Sequence, residues 1–358
     1  MRKLLTKQIL FISISIFLLT GCLQKSIIDD VQLIQAVVFD TAKEKIKTTI
    51  VCPTQKKGHH VQVFENIAKT AREGKEKFSL KSPRPFVSGQ LRVALFTKRL
   101  MKKDLTLAMD TLLRDSSIGH MMYVGILEGI GYELLNEKYN DNFNVAIHIK
   151  YLLEHNMESG SLPYSNLHLD TYRYYQVGQD VFMPILKKQK KQINITGLAL
   201  FNKEKYVGEL NSTEMFVFRG LLEKHRLDSK ELKIHGGYIT VNNIQSKPSY
   251  HIKFKNGKPY IYIQVIMDAR LVEITSKMNL ENKKSFELIT KSTEKQLNIE
   301  SNKIIKKLQR LNVDPLGLGA KVKQKYKLFN LKEWRNMYET VPVNVKYMVK
   351  LRNSGIIE

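Results

Sequence analysis

The chain has few cysteines and a single tryptophan. Its 358 residues contain two cysteines, Cys22 and Cys52, so a disulfide framework is excluded if Cys22 is modified. Cys52 ends the apolar run Ile50-Val51-Cys52, where a buried small hydrophobic side chain is expected rather than a reactive thiol. The length predicts two or three domains, and the 43% of hydrophobic residues excludes wholesale disorder.

Acidic residues are also scarce. Asp and Glu number 34 against 58 Lys and Arg, giving a formal net charge of +24. Such a charge attracts anionic partners, and for an exported chain the nearest anions are phospholipid headgroups and wall polymers rather than nucleic acid. The alternative is that the lysine-rich composition serves only solubility. The charge is spread along the chain, with its densest run at Lys187–Lys191.

No apolar run is long enough to span a bilayer. The run Ile9–Leu19 has 11 residues, whereas a spanning helix needs about 20. A basic segment precedes this run and Leu19-Thr20-Gly21-Cys22 follows it, which is the pattern of a signal peptide ending in a lipobox. The sequence therefore predicts a signal peptide over 1–21, N-acyl and S-diacylglycerol groups on Cys22, and a lipid-anchored tether over 22–30.

Catalytic signatures are missing from the chain. Gly317–Lys321 lacks the spacing of a phosphate-binding loop and is expected to form a tight turn. His59 and His60 are adjacent, which suits a solvated loop better than a shared metal. Glu128, Glu133 and Glu137 have no partner carboxylate of the kind a glycosidase needs and are expected on a solvated face. No catalytic residue, metal ligand or cofactor is predicted, which favours a binding or assembly subunit over an enzyme.

Strand and helix patterns alternate along the chain. Val31–Asp40 and Ile46–Cys52 predict neighbouring strands, Lys284–Leu311 predicts a long amphipathic helix, and Val341–Arg352 predicts a closing strand. Together they predict an α+β (mixed α/β) fold of three domains, with mixed or antiparallel sheets flanked by helices. The predicted domains are an N-terminal mixed α/β domain over 31–190, a middle domain over 191–245 and a C-terminal α/β domain over 246–358.

Three local interpretations accompany this scheme. Phe64–Phe78 has helical spacing, and Ser212 is a plausible helix N-cap. The aromatic segment Ser159–Ile185 is expected to be an ordered excursion or a strand pair that bridges domains.

Several segments, in order along the chain, resemble one known family. They are Ser82-Pro83-Arg84, VSGQLRVALF at 87–96, LLRDSSIG at 112–119, Leu162-Pro163, Gly178-Gln179-Asp180, Pro184-Ile185-Leu186, TGLALF at 196–201, DPLGLG at 314–319, Trp334 and RNSG at 352–355. Their order and spacing, across nearly the whole mature chain, are similar to the C subunits of spore germinant receptors, the Ger(x)C or GerAC-like lipoproteins.

The chain departs from the family pattern in three places. It has Val38-Phe39-Asp40 where the family often has Gly-Ile-Asp, and Val181-Phe182 where Pro-Tyr is common. It has Leu23-Gln24-Lys25 in place of a start resembling Trp-Asp after the lipidated cysteine. These departures put the surface contacts, rather than the family, in question.

The resemblance implies an accessory C subunit of a nutrient germinant receptor, needed for germination in response to nutrients. It implies a three-domain lipoprotein on the outer face of the inner spore membrane, beside two polytopic membrane subunits, A and B, one of which binds the germinant. It implies no enzymatic activity. The motif positions that it marks as candidate functional residues are Gln90, Arg92, Arg114, Asp115, Gln179, Asp180, Asp314, Gly317 and Gly319.

Two other functions stay open from the residues. An extracytoplasmic solute-binding lipoprotein would capture the nutrient itself, with the aromatic segment Tyr164–Tyr175 lining a pocket, although such proteins usually show two similar lobes and the chain shows no repeat. An exported wall-modifying enzyme would suit the basic charge but lacks a catalytic constellation.

Overall fold

The structure is a computed structural model. It describes residues 30–54, 61–103, 105–139, 143–234, 236–255, 257–276, 278, 280 and 282–352. The predicted signal peptide, the lipidation site Cys22, His59 and His60 lie outside the described residues.

Ten strands lie among the described residues up to residue 211. They are β1 (Gln32–Leu33), β2 (Ala36–Ala42), β3 (Lys45–Pro53), β4 (Val61–Ala68), β5 (Phe86–Val87), β6 (Val93–Thr97), β7 (Tyr123–Glu128), β8 (Phe182–Gln189), β9 (Gln192–Asn202) and β10 (Lys205–Asn211). Eight of them form a mixed sheet in the order β10-β9-β8-β7-β6-β2-β3-β4, and β1 pairs with β5 in a short parallel ribbon. The central pairs β2–β6, β6–β7 and β7–β8 are parallel, and the outer pairs are antiparallel.

Helices cover both faces of this sheet. They are α1 (Ala71–Ser79), α2 (Lys98–Met101), α3 (Thr106–Leu113), α4 (Gly131–Leu135), α5 (Val145–Ser159) and α6 (Leu167–Tyr175). Successive strand residues point to opposite faces, so Val37 of β2 packs in one core with Leu112 of α3. Its neighbour Val38 packs in the other core with Leu153 of α5.

The second half of the chain builds a smaller sheet around a long helix. Its elements are α7 (Ser212–Leu222), β11 (Asp228–Ile234), β12 (Gly237–Lys255), β13 (Lys258–Ile274), α8 (Lys283–Arg310), α9 (Leu318–Lys325), α10 (Trp334–Met337) and β14 (Val343–Arg352), with short 3-10 turns at Leu331–Glu333 and Tyr338–Thr340. The strand order is β11-β12-β13-β14, and β14 runs parallel to β13. Helix α8 packs against β14.

One hydrophobic core joins the two halves. Leu200 on β9, Phe218 on α7, Ile263 on β13 and Leu308 on α8 belong to a single cluster of buried side chains. Within the described part of the chain, no helix is both long and apolar enough to cross a membrane.

The predicted fold class is confirmed, because a mixed sheet packs against helices in each half of the chain. The paired strands β2 and β3, the long helix and the closing strand also lie where the sequence predicted them. The division into three domains stays a prediction. The predicted boundary at 190/191 falls in the turn between β8 and β9, which pair with each other.

Three local predictions need correction. Phe64–Phe78 is not one helix, because Phe64 lies in β4 opposite Ile50 and the helix α1 begins only at Ala71. Asn211, not Ser212, caps α7, since its side chain accepts from the Glu214 amide while its own amide donates to the Glu214 carboxylate. The aromatic segment contains the helix α6 rather than a strand pair.

Candidate functional site

Two motif segments far apart in sequence meet at one buried point. The Asp180 amide donates to the Asp314 carbonyl at 3.0 Å, and the Asp314 amide donates to Asp180 Oδ2 at 2.6 Å. The first residue precedes β8, and the second lies between α8 and α9. We call this place, with Gln179, Gly317, Gly319 and the side chains that contact them, the Asp180–Asp314 junction.

Asp314 organises the start of α9. Its Oδ1 accepts from the Leu318 amide at 2.9 Å, and its Oδ2 accepts from the Gly319 amide at 2.8 Å and from Trp334 Nε1 at 3.0 Å. The side chain is fully buried. Burial raises the pKa of Asp314 to about 6, although the two backbone hydrogen bonds act to lower it. A buried carboxylate at a helix start, with three N–H donors, fixes the direction in which the chain leaves α8.

Asp180 connects the same point to two further elements. Arg335 of α10 donates to Asp180 Oδ1 and, at 2.8 Å, to the Asn312 carbonyl. That carbonyl also accepts from the Asn202 side chain at the end of β9, at 2.7 Å. The junction therefore ties the large sheet to the segment that follows α8.

The two motif glycines are required by close packing. A Cβ on Gly319 would lie 2.6 Å from the ring of Trp334, closer than any real contact. Gly317 has a φ of +65°, the left-handed region that favours glycine, and a Cβ there would lie 3.0 Å from the Gln179 side chain. Gln179 itself donates to the Pro315 carbonyl at 3.4 Å.

The other four motif positions lie around the start of β6 and the end of α3. The Arg92 carbonyl accepts from the Tyr123 amide at 2.9 Å, and the Arg92 amide donates to the Gln35 carbonyl, while Gln90 is exposed. Asp115 bonds to Lys75 at 3.0 Å and accepts from Ser117. Burial acts to raise the pKa of Asp115, but hydrogen bonds from Ser117 and Lys75 outweigh it and lower that pKa to about 2.

Arg114 makes a surface contact only. It donates to Asp110 one helical turn earlier at 3.0 Å, and both side chains are exposed. The structure thus brings five of the nine motif residues together at the junction and leaves the other four outside it.

A second buried connection, between α7 and the end of α5, was not predicted from the sequence. Arg219 lies within the apolar helix α7, is 1% exposed, and donates to the carbonyls of Met157 and Gly160 and to Glu223 at 2.9 Å. Its guanidinium also lies over the ring of Tyr164 at 5.3 Å. The signal available was an arginine inside the otherwise apolar run Met215–Leu222, since such a charge must find partners when buried.

The tyrosines of the aromatic segment lie on and beside α6. Tyr164 is held by its backbone, because its carbonyl accepts from Arg173 at 2.8 Å and its amide donates to Glu223 at 3.2 Å. Arg173 in turn pairs with the fully buried Asp170 at 3.0 Å. Two surface grooves, of about 630 and 420 Å³, lie along α8 and none of these tyrosines lines them.

The arrangement at the junction is suited to holding elements together. Both carboxyl groups accept hydrogen bonds from fixed donors and are buried, so they present no free carboxylate to a substrate. Within the described ranges, no group of three or more His, Cys, Asp or Glu side chains is placed to hold a metal ion.

Comparisons with known proteins match this chain to spore germination proteins along nearly its whole length. The spore germination protein N-terminal domain matches residues 24–188, and the spore germination B3/GerAC-like C-terminal domain matches residues 196–355. Spore germination protein GerQC of Bacillus cereus is 28% identical over 98% of this chain and 99% of its own. Putative spore germination protein YfkR of Bacillus subtilis strain 168 is 21% identical over 100% of this chain and 98% of its own.

A solved structure shares the fold. The superposition on the crystal structure of the GerBC protein covers 89% of this chain and 97% of the GerBC chain, with a TM-score of 0.60 at 17% identity. The resemblance that the motif segments suggested is confirmed by the two domain matches, which follow each other from residue 24 to residue 355. The chain belongs to the GerAC-like family of spore germination proteins.

Proposed function

We propose that this protein is the lipid-anchored accessory C subunit of a nutrient germinant receptor, acting through protein contacts at the outer face of the inner spore membrane. The observation that carries the proposal is the match of both family domains over residues 24–188 and 196–355. The family is one of germination proteins and not an enzyme class, which agrees with motif residues that serve as buried cross-links.

The lipid on Cys22 supplies the membrane attachment in this proposal. Leu19-Thr20-Gly21-Cys22 meets the requirements for acylation, and a tether over 22–30 leads to β1. Two or three acyl chains hold a protein firmly at a bilayer. Attachment raises the local concentration of the subunit beside its two polytopic partners, so a weak interface suffices for assembly.

The function is tested in spores that carry Cys22→Ala, Cys52→Ala or a deletion of the gene. We expect Cys22→Ala to leave the membrane fraction and to slow nutrient-triggered release of dipicolinate nearly as much as the deletion does. Cys52→Ala changes the other, buried cysteine and should retain both membrane attachment and germination. An unchanged response of the deletion strain to every nutrient would contradict the proposed role.

Partners are tested by purifying the protein from solubilised spore membranes. We expect two multi-span subunits to accompany the parent chain and to be reduced with Cys22→Ala. Calorimetry of the purified chain with candidate germinants addresses the alternative. Micromolar binding of a nutrient would favour the solute-binding lipoprotein over the accessory subunit.

A further inference from the structure

Among the described residues, no helix or strand covers one face of the smaller sheet. Strand β14 alternates without interruption, so Val345, Tyr347 and Val349 are buried while Lys346, Met348 and Lys350 are exposed. The buried positions face α8, which packs on that side of the sheet. We call one part of the opposite, exposed side the outer sheet face; it is formed by the outward positions of 247–253 on β12, 260–270 on β13 and 344–352 on β14. Glu231 and Glu273, which both lie opposite Thr240, are exposed on the same side of the sheet beyond this part.

Strand register arranges this face in rows. Tyr262 stands between His251 and Asn344, and two residues further along Gln264 stands between Ser249 and Lys346. The next row places Ile266 between Lys247 and Met348. Tyr260 is 43% exposed, Ile266 55% and Met348 43%, so bulky apolar groups project into solvent between lysines.

The charge of the outer sheet face is one-sided. Within its three segments the only acidic residue is Asp268, and Arg352 neutralises it with bonds of 2.8 and 2.5 Å. Its remaining cations form no ion pair within the described residues; they are Lys247, Lys253, Arg270, Lys346 and Lys350. Some lysines elsewhere are paired, for example Lys98 with Glu209 and Lys307 with Glu214.

We propose that the outer sheet face lies on an anionic phospholipid bilayer. This inference rests on the membrane attachment proposed above. Lysine and arginine side chains beside a bilayer are attracted by anionic headgroups, and tyrosine rings prefer the interface between headgroups and acyl chains. An extended sheet face with aromatic and basic groups in rows matches a broad charged surface better than it matches the pocket or groove that an acidic peptide requires.

The other basic surface serves as a matched comparison. The larger groove along α8 is lined by Lys291, Lys295, Lys303 and Lys306, but it also contains Glu294 and no aromatic ring. Helix α8 packs on the inner side of the sheet, so its exposed lysines and the outer sheet face are different surfaces of the molecule.

The test places a fluorescent label on either surface of the full chain. Asn344→Cys marks the outer sheet face and Lys306→Cys marks α8; both positions are exposed, while Cys52 is buried and stays unlabelled. The chain without a new cysteine reports any labelling of Cys22. Each chain is mixed with vesicles of neutral phospholipid or with 30% anionic phospholipid, both carrying a quencher on the headgroups, and vesicle flotation is recorded alongside quenching.

We expect strong quenching at residue 344 on anionic vesicles, little on neutral ones, and little at residue 306 on either. Lys346→Glu with Lys350→Glu should abolish the quenching at 344, whereas Lys303→Glu with Lys306→Glu, an equal change of charge on α8, should preserve it. In chains that are not acylated, each reversed charge should weaken binding to anionic vesicles at least about fivefold. The emission of Trp334 checks that every variant is folded.

Flotation separates this inference from the proposed anchoring. Flotation on both kinds of vesicle with equal quenching at 344 and 306 supports the anchor and overturns the membrane-facing sheet. Flotation of the acylated chain on anionic vesicles alone, lost with the Lys346 and Lys350 reversals, supports the sheet face and contradicts the anchor. Stronger quenching at 306 than at 344, or flotation on neither kind of vesicle, overturns the inference.

Discussion

A few buried residues determine how the two halves of this protein are joined. Asp314 receives three N–H donors from α9 and Trp334, and Asp180 receives the Asp314 amide and Arg335. These residues explain why short motif segments spaced along the chain belong together. Their role is to position the backbone, because each side chain holds a backbone segment against which other elements pack.

Gly319→Ala should loosen the junction, because the added methyl would lie 2.6 Å from the Trp334 ring. We expect a loss of stability of about 1–3 kcal/mol, the range typical of overpacking in a core. Trp334 is the single tryptophan, so its fluorescence should shift to longer wavelength as it loses burial and its bond to Asp314. Gly119→Ala is the control, since a Cβ there meets nothing within 4 Å. Unchanged emission and stability in Gly319→Ala would contradict the close packing.

Asp314→Asn should be destabilising for a different reason. The new amide N–H would face donors that the carboxylate now satisfies, and an unsatisfied buried group costs about 1–3 kcal/mol, or more where a charged group had served it. Urea unfolding measures the change. Asp110→Asn, at an exposed pair with Arg114, should change the free energy of unfolding by less than about 1 kcal/mol.

The same substitution predicts a pH dependence. Burial raises the pKa of Asp314 from 3.8 to about 6, so the folded state holds its proton more tightly than the unfolded state. The stability that this proton contributes is fully present below pH 3.8 and is lost as the pH rises through 6. The free energies of unfolding of the parent chain and of Asp314→Asn should therefore differ most near pH 4 and less at pH 7. If this difference in free energy instead widens as the pH rises, the N–H donors around Asp314 hold its pKa in the folded state below the unfolded value.

At the scale of elements, strong periodicity made the long helix and the closing strand predictable. The sequence predicted α8 over Lys284–Leu311, and it spans Lys283–Arg310. The helix predicted over Phe64–Phe78 was wrong because β4 forms by pairing with β3. The spacing of apolar residues within one segment does not show such a pairing. The motif segments identified the junction residues, but their contact joins residues 134 positions apart, and no local pattern encodes that closeness.

The edge of the smaller sheet is covered by side chains of α8. In the part of the chain that the structure describes, no strand pairs with the outer edge of β14. The Tyr347 amide on this edge donates to Asn298 at 2.7 Å, and the Val349 amide donates to Glu294 at 2.9 Å. Free edge amides invite pairing with another chain. The helix therefore limits association through this edge.

Removing both caps by Glu294→Ala with Asn298→Ala should expose that edge. We expect faster amide hydrogen exchange at 347 and 349, a loss of stability of about 1–2 kcal/mol and concentration-dependent association. Exchange mass spectrometry and sedimentation velocity measure these effects. Lys295→Ala, on the exposed side of the same helix, should behave as the parent chain. Equal exchange in the double variant and the parent chain would mean that the two side chains do not protect the edge.

At the scale of the molecule, two buried connections and a shared core bind the halves. The Asp180–Asp314 junction links the start of β8 to α9, and Arg219 links α7 to the end of α5. Side chains from β9, α7, β13 and α8 pack in the same core. The two matched family domains are thus joined by desolvated charges and apolar packing, both costly to separate.

We therefore expect the chain to unfold in a single cooperative transition. Each half contains one natural probe, the buried thiol of Cys52 in β3 and the buried ring of Trp334 in α10. In a chain carrying Cys22→Ala, thiol labelling and tryptophan emission should change at the same urea concentration, since coincident probes are the mark of two-state unfolding.

In Arg219→Ala, which leaves the carbonyls of Met157 and Gly160 without their donor, the urea midpoints of thiol labelling and tryptophan emission should separate. Arg114→Ala removes an exposed arginine of the first half and should keep them together. Labelling of Cys52 well before the loss of Trp334 burial in the parent chain would show that the halves are energetically independent, and that the junction aligns them without coupling their stability.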